Sequence, residues 1–149
     1  MNSPQRTRRH TEENLNTLSG MIVDAAMKVH SALGPGLLEN AYEICLKHEL
    51  LKRGVEVKRQ VELPVCYDGI QLDAGYRIDL LVADEIVVEL KSVDKIVPIH
   101  EAQLLSYLKL SNLHVGLLIN FNVIHLKDGI KRMVNRFQPL RSSASSAVK

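Results

Sequence analysis

The sequence predicts an α/β sandwich, a mixed central sheet flanked by helices in the order α-α-β-β-β-α-β-β. Three observations carry this reading. Apolar residues recur at three- and four-residue steps from Leu15 to Leu33 and again over about 38–53. The period then changes to two, from Gln60 to Lys91. Beyond that, a helix-length stretch opening on Pro98 leads into a nearly unbroken apolar run, Leu113 to Ile119. Helical spacing marks one buried stripe, alternation marks a half-buried strand, and a continuous apolar run marks a strand covered on both faces.

The first helix places Leu15, Leu18, Ile22, Ala25, Ala26, Val29 and Leu33 on one face and stops at Gly34-Pro35-Gly36, a strong breaker. The second carries Leu38, Ala41, Tyr42, Cys45, Leu46 and Leu50 on its apolar face, with Gly54 suited to the position after its end. In the first strand Val61, Leu63, Val65 and Tyr67 alternate with Gln60, Glu62, Pro64 and Cys66, and Pro64 assigns it to a sheet edge. Asp68-Gly69 signals a hairpin turn. On the return strand Leu72, Ala74, Tyr76, Ile78 and Leu80 take one face, and Asp73, Gly75, Arg77 and Asp79 the other. After a short turn at Val82-Ala83-Asp84, Ile86, Val88 and Leu90 alternate with Glu85, Val87, Glu89 and Lys91. Pro98 fits the first turn of a third helix, about 98–110. Residues 113–119 read as a strand and 123–126 as another. After Lys127-Asp128-Gly129, residues 130–134 read as a last strand or a short helix.

A chain of 149 residues, 46% hydrophobic and 24% charged, matches one ordinary globular domain. We assign it to residues 13–140. Residues 1–12, with Arg6, Arg8 and Arg9, read as a flexible basic arm, and 141–149 (RSSASSAVK) as a disordered tail. Cys45 and Cys66 cannot build a four-thiolate centre and read as two small buried hydrophobes. There is no apolar stretch after the N-terminal charges, and no run nears the roughly 18 apolar residues that span a bilayer. The expectation is a cytoplasmic protein with no membrane contact.

Formal net charge is +2, but the ends distort it. Setting aside residues 1–10 and 141–149 removes Arg6, Arg8, Arg9, Arg141 and Lys149 and no acid. That leaves 14 of the 19 bases against 17 acids, a net of −3. Such a domain does not hold a polyanion by bulk charge. Lys52, Arg53, Lys58 and Arg59, or the N-terminal arm, would have to supply contacts to a phosphate backbone.

The chemistry concentrates on the alternating strands. Glu89 and Lys91 lie two apart and so share a face. Asp79, near the end of the preceding strand, approaches them across the hairpin. Two carboxylates and an ammonium on an apolar sheet are costly to bury unpaired. A divalent cation held by the carboxylates, with Lys91 beside it, is one explanation, and a hard ion such as Mg2+ prefers oxygen ligands. The competing explanation is a solvated Glu89–Lys91 pair and a turn-proximal acid at Asp79, since D…ExK alone is short and common by chance. Glu39 on the second helix, and Gln103 and Tyr107 one turn apart on the third, supply context. No HxxxH or HExxH spacing, phosphate-binding loop or GxGxxG fingerprint is present. Among the six histidines His100 alone lies near the presumed site.

This order of elements, with D-x9-ExK and a following Q-x-x-x-Y, resembles the PD-(D/E)xK nuclease superfamily, although Ile78 rather than proline precedes Asp79. Gly36-Leu37-Leu38-Glu39-Asn40-Ala41-Tyr42 reads G-x-x-E-x-x-Y and resembles the GxxExxY family grouped with that superfamily, from about Leu15 to Val134. The resemblance implies a restriction-endonuclease-like sandwich and a metal-dependent nuclease that hydrolyses phosphodiester bonds of DNA or RNA with Mg2+ or Mn2+. It implies that Asp79 and Glu89 ligate the metal with the backbone carbonyl of Leu90, and that Glu39 reaches it through water. Lys91 would hold the attacking water or steady charge on the phosphate. Gln103 and Tyr107 would orient the motif or a phosphate. Tyr42 reads as core packing, and Tyr107 is divided between core and site. Specificity in so short a chain would come from a homodimer or a protein partner. The competing function is a non-catalytic nucleic-acid-binding or protein-interaction module on the same fold.

Overall fold

The computed structural model describes residues 4–136, with side chains from residue 13. Helix α1 spans Pro4–Leu33 and α2 spans Glu39–Lys52. Strands β1 (Val57–Glu62), β2 (Val65–Tyr67), β3 (Ile70–Leu72), β4 (Arg77–Val82) and β5 (Ile86–Lys91) follow. Helix α3 is Pro98–Ser111, and β6 (Val115–Asn120) leads through a 3-10 turn at Leu126–Gly129 into β7 (Ile130–Val134). The main sheet has the order β1-β4-β5-β6-β7. Only β5 and β6 run parallel, and the other neighbours are antiparallel. The expected mixed sheet flanked by helices is therefore present.

Each face of the sheet carries its own core. On one face, Ile22, Ala25, Ala26 and Val29 of α1 and Tyr42, Leu46 and Leu50 of α2 pack on Leu80, Val82, Ile86, Val88 and Leu90. On the other, Leu104, Tyr107 and Leu108 of α3 cover Leu63, Ile78, Val87 and Leu118. All six residues of β6 are buried, as its apolar run predicts for a strand covered on both sides. Pro98 opens α3 as expected, and β1 occupies a sheet edge. Among the described residues no helix is long and apolar enough to cross a membrane.

Several expectations need correction. Helix α1 starts at Pro4, so residues 4–12, expected as an arm, continue the helix. A helix already nucleated by an apolar stripe extends at little cost by one hydrogen bond per added residue. The tail 141–149 lies outside the described residues. The long hairpin expected over 60–80 is divided. Its tip, β2–β3 around Asp68-Gly69, forms a separate two-stranded ribbon, while its base pairs as β1–β4. Pro64 offers no N–H to a ladder, and the Gly75 N–H is taken by Asp73 Oδ1 (3.4 Å), so pairing fails between the two parts. Residues 123–126 form no strand. Phe121 is buried against Tyr42, and His30 Nε2 bonds the Val123 carbonyl (2.8 Å), which turns the chain away from the sheet. Residues 130–134 form a strand, antiparallel to β6. Both cysteines are free, Cys45 half-buried and Cys66 exposed on the ribbon, so only the first fits the expected buried role.

Tyr42 is core, as expected, and it also shapes the turn between α1 and α2. Its ring stacks on Phe121, with centroids 4.4 Å apart and planes 10° from parallel. Its hydroxyl donates to the Gly34 carbonyl (2.6 Å) and accepts from the Leu37 N–H (3.1 Å). Gly34 and Gly36 adopt φ of 69° and 101°, a region closed to most side chains, which lets the chain double back under the ring. Tyr42→Phe keeps the stack but strands two backbone groups. We expect it to lower unfolding free energy by about 1–3 kcal/mol in chemical denaturation. A change within error would show that water replaces the hydroxyl.

Candidate active site

The β4–β5 hairpin aligns Leu80 with Val88, Leu81 with Val87 and Val82 with Ile86. The same register sets Asp79 opposite Glu89, and there the backbone pairing stops. Side chains take over. Glu89 Oε2 accepts the Asp79 N–H at 2.9 Å, and Asp79 Oδ2 accepts the Leu90 N–H at 2.9 Å. The two acids thus cross over, each bonded to the other's strand. Glu89 lies on the α3 side, because Val87, one alternation before it, packs with Leu104 and Tyr107.

Glu89 is 6% exposed. Burial first, and then the Asp79 charge beside it, push its carboxyl up to about 9. Asp79 is also raised, chiefly by burial, with the Leu90 N–H and the Gln60 amide acting in the opposite direction. Burial disfavours the charged form of both acids, and at Glu89 the neighbouring like charge adds to it. A hard divalent cation would let both ionise, so this oxygen donor set fits one. Among the described residues no three His, Cys, Asp or Glu side chains converge as a ready-made cage. The remaining ligands would be water and phosphate oxygens, which is the usual habit of Mg2+.

The other expected residues gather at the same end of the sheet. Lys91 closes β5, half-buried, and its charge favours ionisation of both Asp79 and Glu89. Glu39, the first residue of α2, is exposed; its Oε2 accepts the Ser92 N–H at 3.3 Å, and its charge is felt at Asp79. Ser92 Oγ donates to the Leu37 carbonyl (2.6 Å), so the turn before α2 is clipped to the residue after Lys91. Buried Asn120 clips the next residue: its Nδ2 donates to the Val93 carbonyl (2.9 Å) and its Oδ1 accepts the Val93 N–H (3.1 Å). Leu90 supplies its N–H to Asp79 and buries its side chain on the α1–α2 face. On α3, Gln103 Nε2 donates to the Tyr107 hydroxyl at 3.1 Å. Tyr107 is a core residue under α3, and burial first, then the Glu89 charge, raises its hydroxyl above the ordinary tyrosine value. His100 stands apart. Its Nδ1 accepts the Val97 N–H (3.1 Å), a helix-capping task.

Two residues escaped the sequence reading. Glu43, one turn after Glu39 on α2, is buried at 4% exposure and raised by that burial. Gln60 of β1 donates through Nε2 to both Glu43 oxygens (3.1 and 3.0 Å) and to Asp79 Oδ1 (3.4 Å). The available signal was the i, i+4 spacing of Glu39 and Glu43, which puts both acids on one helix face.

Of the basic residues expected to grip phosphates, the arginines of the N-terminal arm lie outside the described side chains, and the other four are paired: Lys52 with Glu49 (3.5 Å), Arg53 with Asp24 (2.7 Å), Lys58 with Asp84 (2.9 Å), and Arg59 with Glu43. Exposed pairs of this kind are worth about 0–1 kcal/mol and can exchange partners. Arg59 is committed more firmly, because Glu43 is buried and Asn40 Oδ1 accepts a second bond from the same guanidinium.

A family model described as the PD-(D/E)XK nuclease superfamily matches residues 16–133. No curated protein and no solved structure matches the chain.

The raised Glu89 carboxyl has a thermodynamic consequence. Above its ordinary value of 4.5 the unfolded chain releases the proton that the folded chain keeps until about 9. Rising pH in that window therefore favours unfolding, and the stability gained from the retained proton is complete below the window and gone above it. Without divalent cations, we expect the melting temperature of wild type relative to Glu89→Gln to fall steadily from about pH 5 to about pH 9 in scanning calorimetry. Parallel curves would return Glu89 to an ordinary carboxyl.

Proposed function

The chain belongs to the PD-(D/E)XK nuclease superfamily, and on that premise we propose that it is a metal-dependent nuclease, cleaving phosphodiester bonds of DNA or RNA in the cytoplasm with Mg2+ or Mn2+. Within the superfamily, the Gly36–Tyr42 motif favours the GxxExxY family. The observation that carries the reading is the crossed pair of half-buried Asp79 and buried Glu89, both aimed by backbone N–H groups, with Lys91 on the strand of Glu89. Burying such a group uncompensated is costly, and a cation that joins the acids gives the arrangement a purpose.

In this reading Asp79, Glu89 and the Leu90 carbonyl hold the cation, and Glu39 reaches it through water. When bound, the cation polarises the phosphate and makes water more acidic. The Lys91 ammonium holds the attacking water and steadies negative charge growing on the scissile phosphate. Tyr107, with its hydroxyl fixed by Gln103, orients a phosphate oxygen at the floor of the site. Because Lys52, Arg53, Lys58 and Arg59 are ion-paired and acids outnumber bases over residues 11–140, grip on a polyanion is weak, and specificity is assigned to a second copy of the chain or a protein partner. The competing reading is a module on the same fold that binds nucleic acid or protein without turnover.

The test uses purified protein on single- and double-stranded DNA and RNA with Mg2+, Mn2+ or chelator. We expect cation-dependent cleavage, reduced about 100-fold or more in Lys91→Ala at an unchanged melting temperature. Binding without cation-dependent cleavage would support the non-catalytic module. Cleavage persisting in both Asp79→Ala and Lys91→Ala would overturn the nuclease reading.

A further inference from the structure

Gln60 lies where the β1–β4 register, Arg59 with Leu80 and Val61 with Ile78, sets it opposite Asp79. Its φ is 56°, left-handed, which costs an ordinary side chain roughly 1–2 kcal/mol and suits Gly or Asn better. The twist has a visible effect. Strict alternation would keep Val61 and Ile78 on the side of Val57 and Val82, in the core under α1 and α2. Instead both join the core under α3. Glycine would allow the same turn at lower cost, so the backbone alone gives no reason for glutamine.

The side chain gives one. Its amide nitrogen lies between the carboxylates of Glu43 and Asp79. Ionised carboxylates only accept hydrogen bonds, so the nitrogen, with its two hydrogens, is the end that must face them. Glu43 is itself held by Arg59, which makes a fixed anchor on α2 from which Gln60 reaches the site. We propose that Gln60 is a positioning residue for the cation site: braced by Glu43, its amide holds Asp79 Oδ1 while the Leu90 N–H holds Oδ2, so this carboxylate keeps one orientation toward Glu89. The proposal rests on the reading of Asp79 and Glu89 as cation ligands. Strain held at a functional site is the expected physical pattern.

The test measures Mn2+ binding by isothermal titration calorimetry, and unfolding temperature without metal, for wild type, Gln60→Gly and Asp79→Ala. Glycine keeps the left-handed backbone and removes the amide. We expect Gln60→Gly to bind Mn2+ about 10–100-fold more weakly, while its unfolding temperature stays at or above that of wild type because the strain is relieved. Should it fail to fold, Gln60→Asn, tolerant of the same φ but one carbon short of spanning the two acids, carries the same expectation. Wild-type affinity in the variant, with binding lost in Asp79→Ala, overturns the role of Gln60 and leaves the cation reading intact. Affinity that falls only in step with unfolding temperature also overturns it, since packing alone would explain the loss. Wild type that takes up no Mn2+ overturns the cation reading and this inference with it.

Discussion

The crossed bonding of Asp79 and Glu89 is the constraint on which the rest of the site depends. In an unbroken hairpin the two strands would exchange backbone bonds at this level. Here each carboxyl takes a backbone N–H across the gap, at 2.9 Å in both cases. A buried N–H left without a partner costs about 1–3 kcal/mol, so the acids are needed where they stand, and the backbone dipoles in turn fix their aim. Converting a ladder position into a side-chain clasp places the Asp79 and Glu89 carboxyls side by side across the hairpin. The cost is electrostatic and appears as the raised Glu89 carboxyl.

The surrounding elements are arranged to hold this clasp. Tyr42 pins the turn before α2, Ser92 clips that turn to the end of β5, and Asn120 clips the following residue to β6. The residues after Lys91 are thereby tied to both neighbouring elements, so Lys91 and Glu39 are brought to the same corner by backbone contacts rather than by a direct pair. The G-x-x-E-x-x-Y spacing gains a physical meaning in this setting. The glycine allows the turn, the tyrosine one helical turn beyond the acid fastens it, and the glutamate is left at the helix start, where an acid also suits the helix dipole.

Charge follows the same logic. Charge couples Asp79 to Glu39, to Glu43 and to Glu89 in turn, with Lys91 and Arg59 acting in the opposite direction. The fold tolerates this because desolvation keeps Glu89 protonated and Arg59 neutralises Glu43. The domain's excess of acids is therefore partly local, concentrated where a cation would be drawn.

Local patterns were enough to read most of the architecture. Alternation in β5 placed Glu89 and Lys91 on one face because side chains of a regular extended strand point to opposite faces with a period of two. The Asp68-Gly69 turn, the Pro98 start of α3 and the double burial of β6 follow from equally local chemistry. What the alternation could not reveal was its own failure. Gln60 has the spacing of an outward strand residue, and only its long-range partners, Glu43 on α2 and Asp79 on β4, explain a left-handed residue that turns the strand over. Glu43 likewise sits beside Tyr42 as one more helical acid, and its burial is decided by Arg59 and Gln60 arriving from β1. The sequence by itself determined which residues could share a face. The tertiary structure decided which carboxyls were desolvated together, because burial and charge proximity depend on elements distant in the chain.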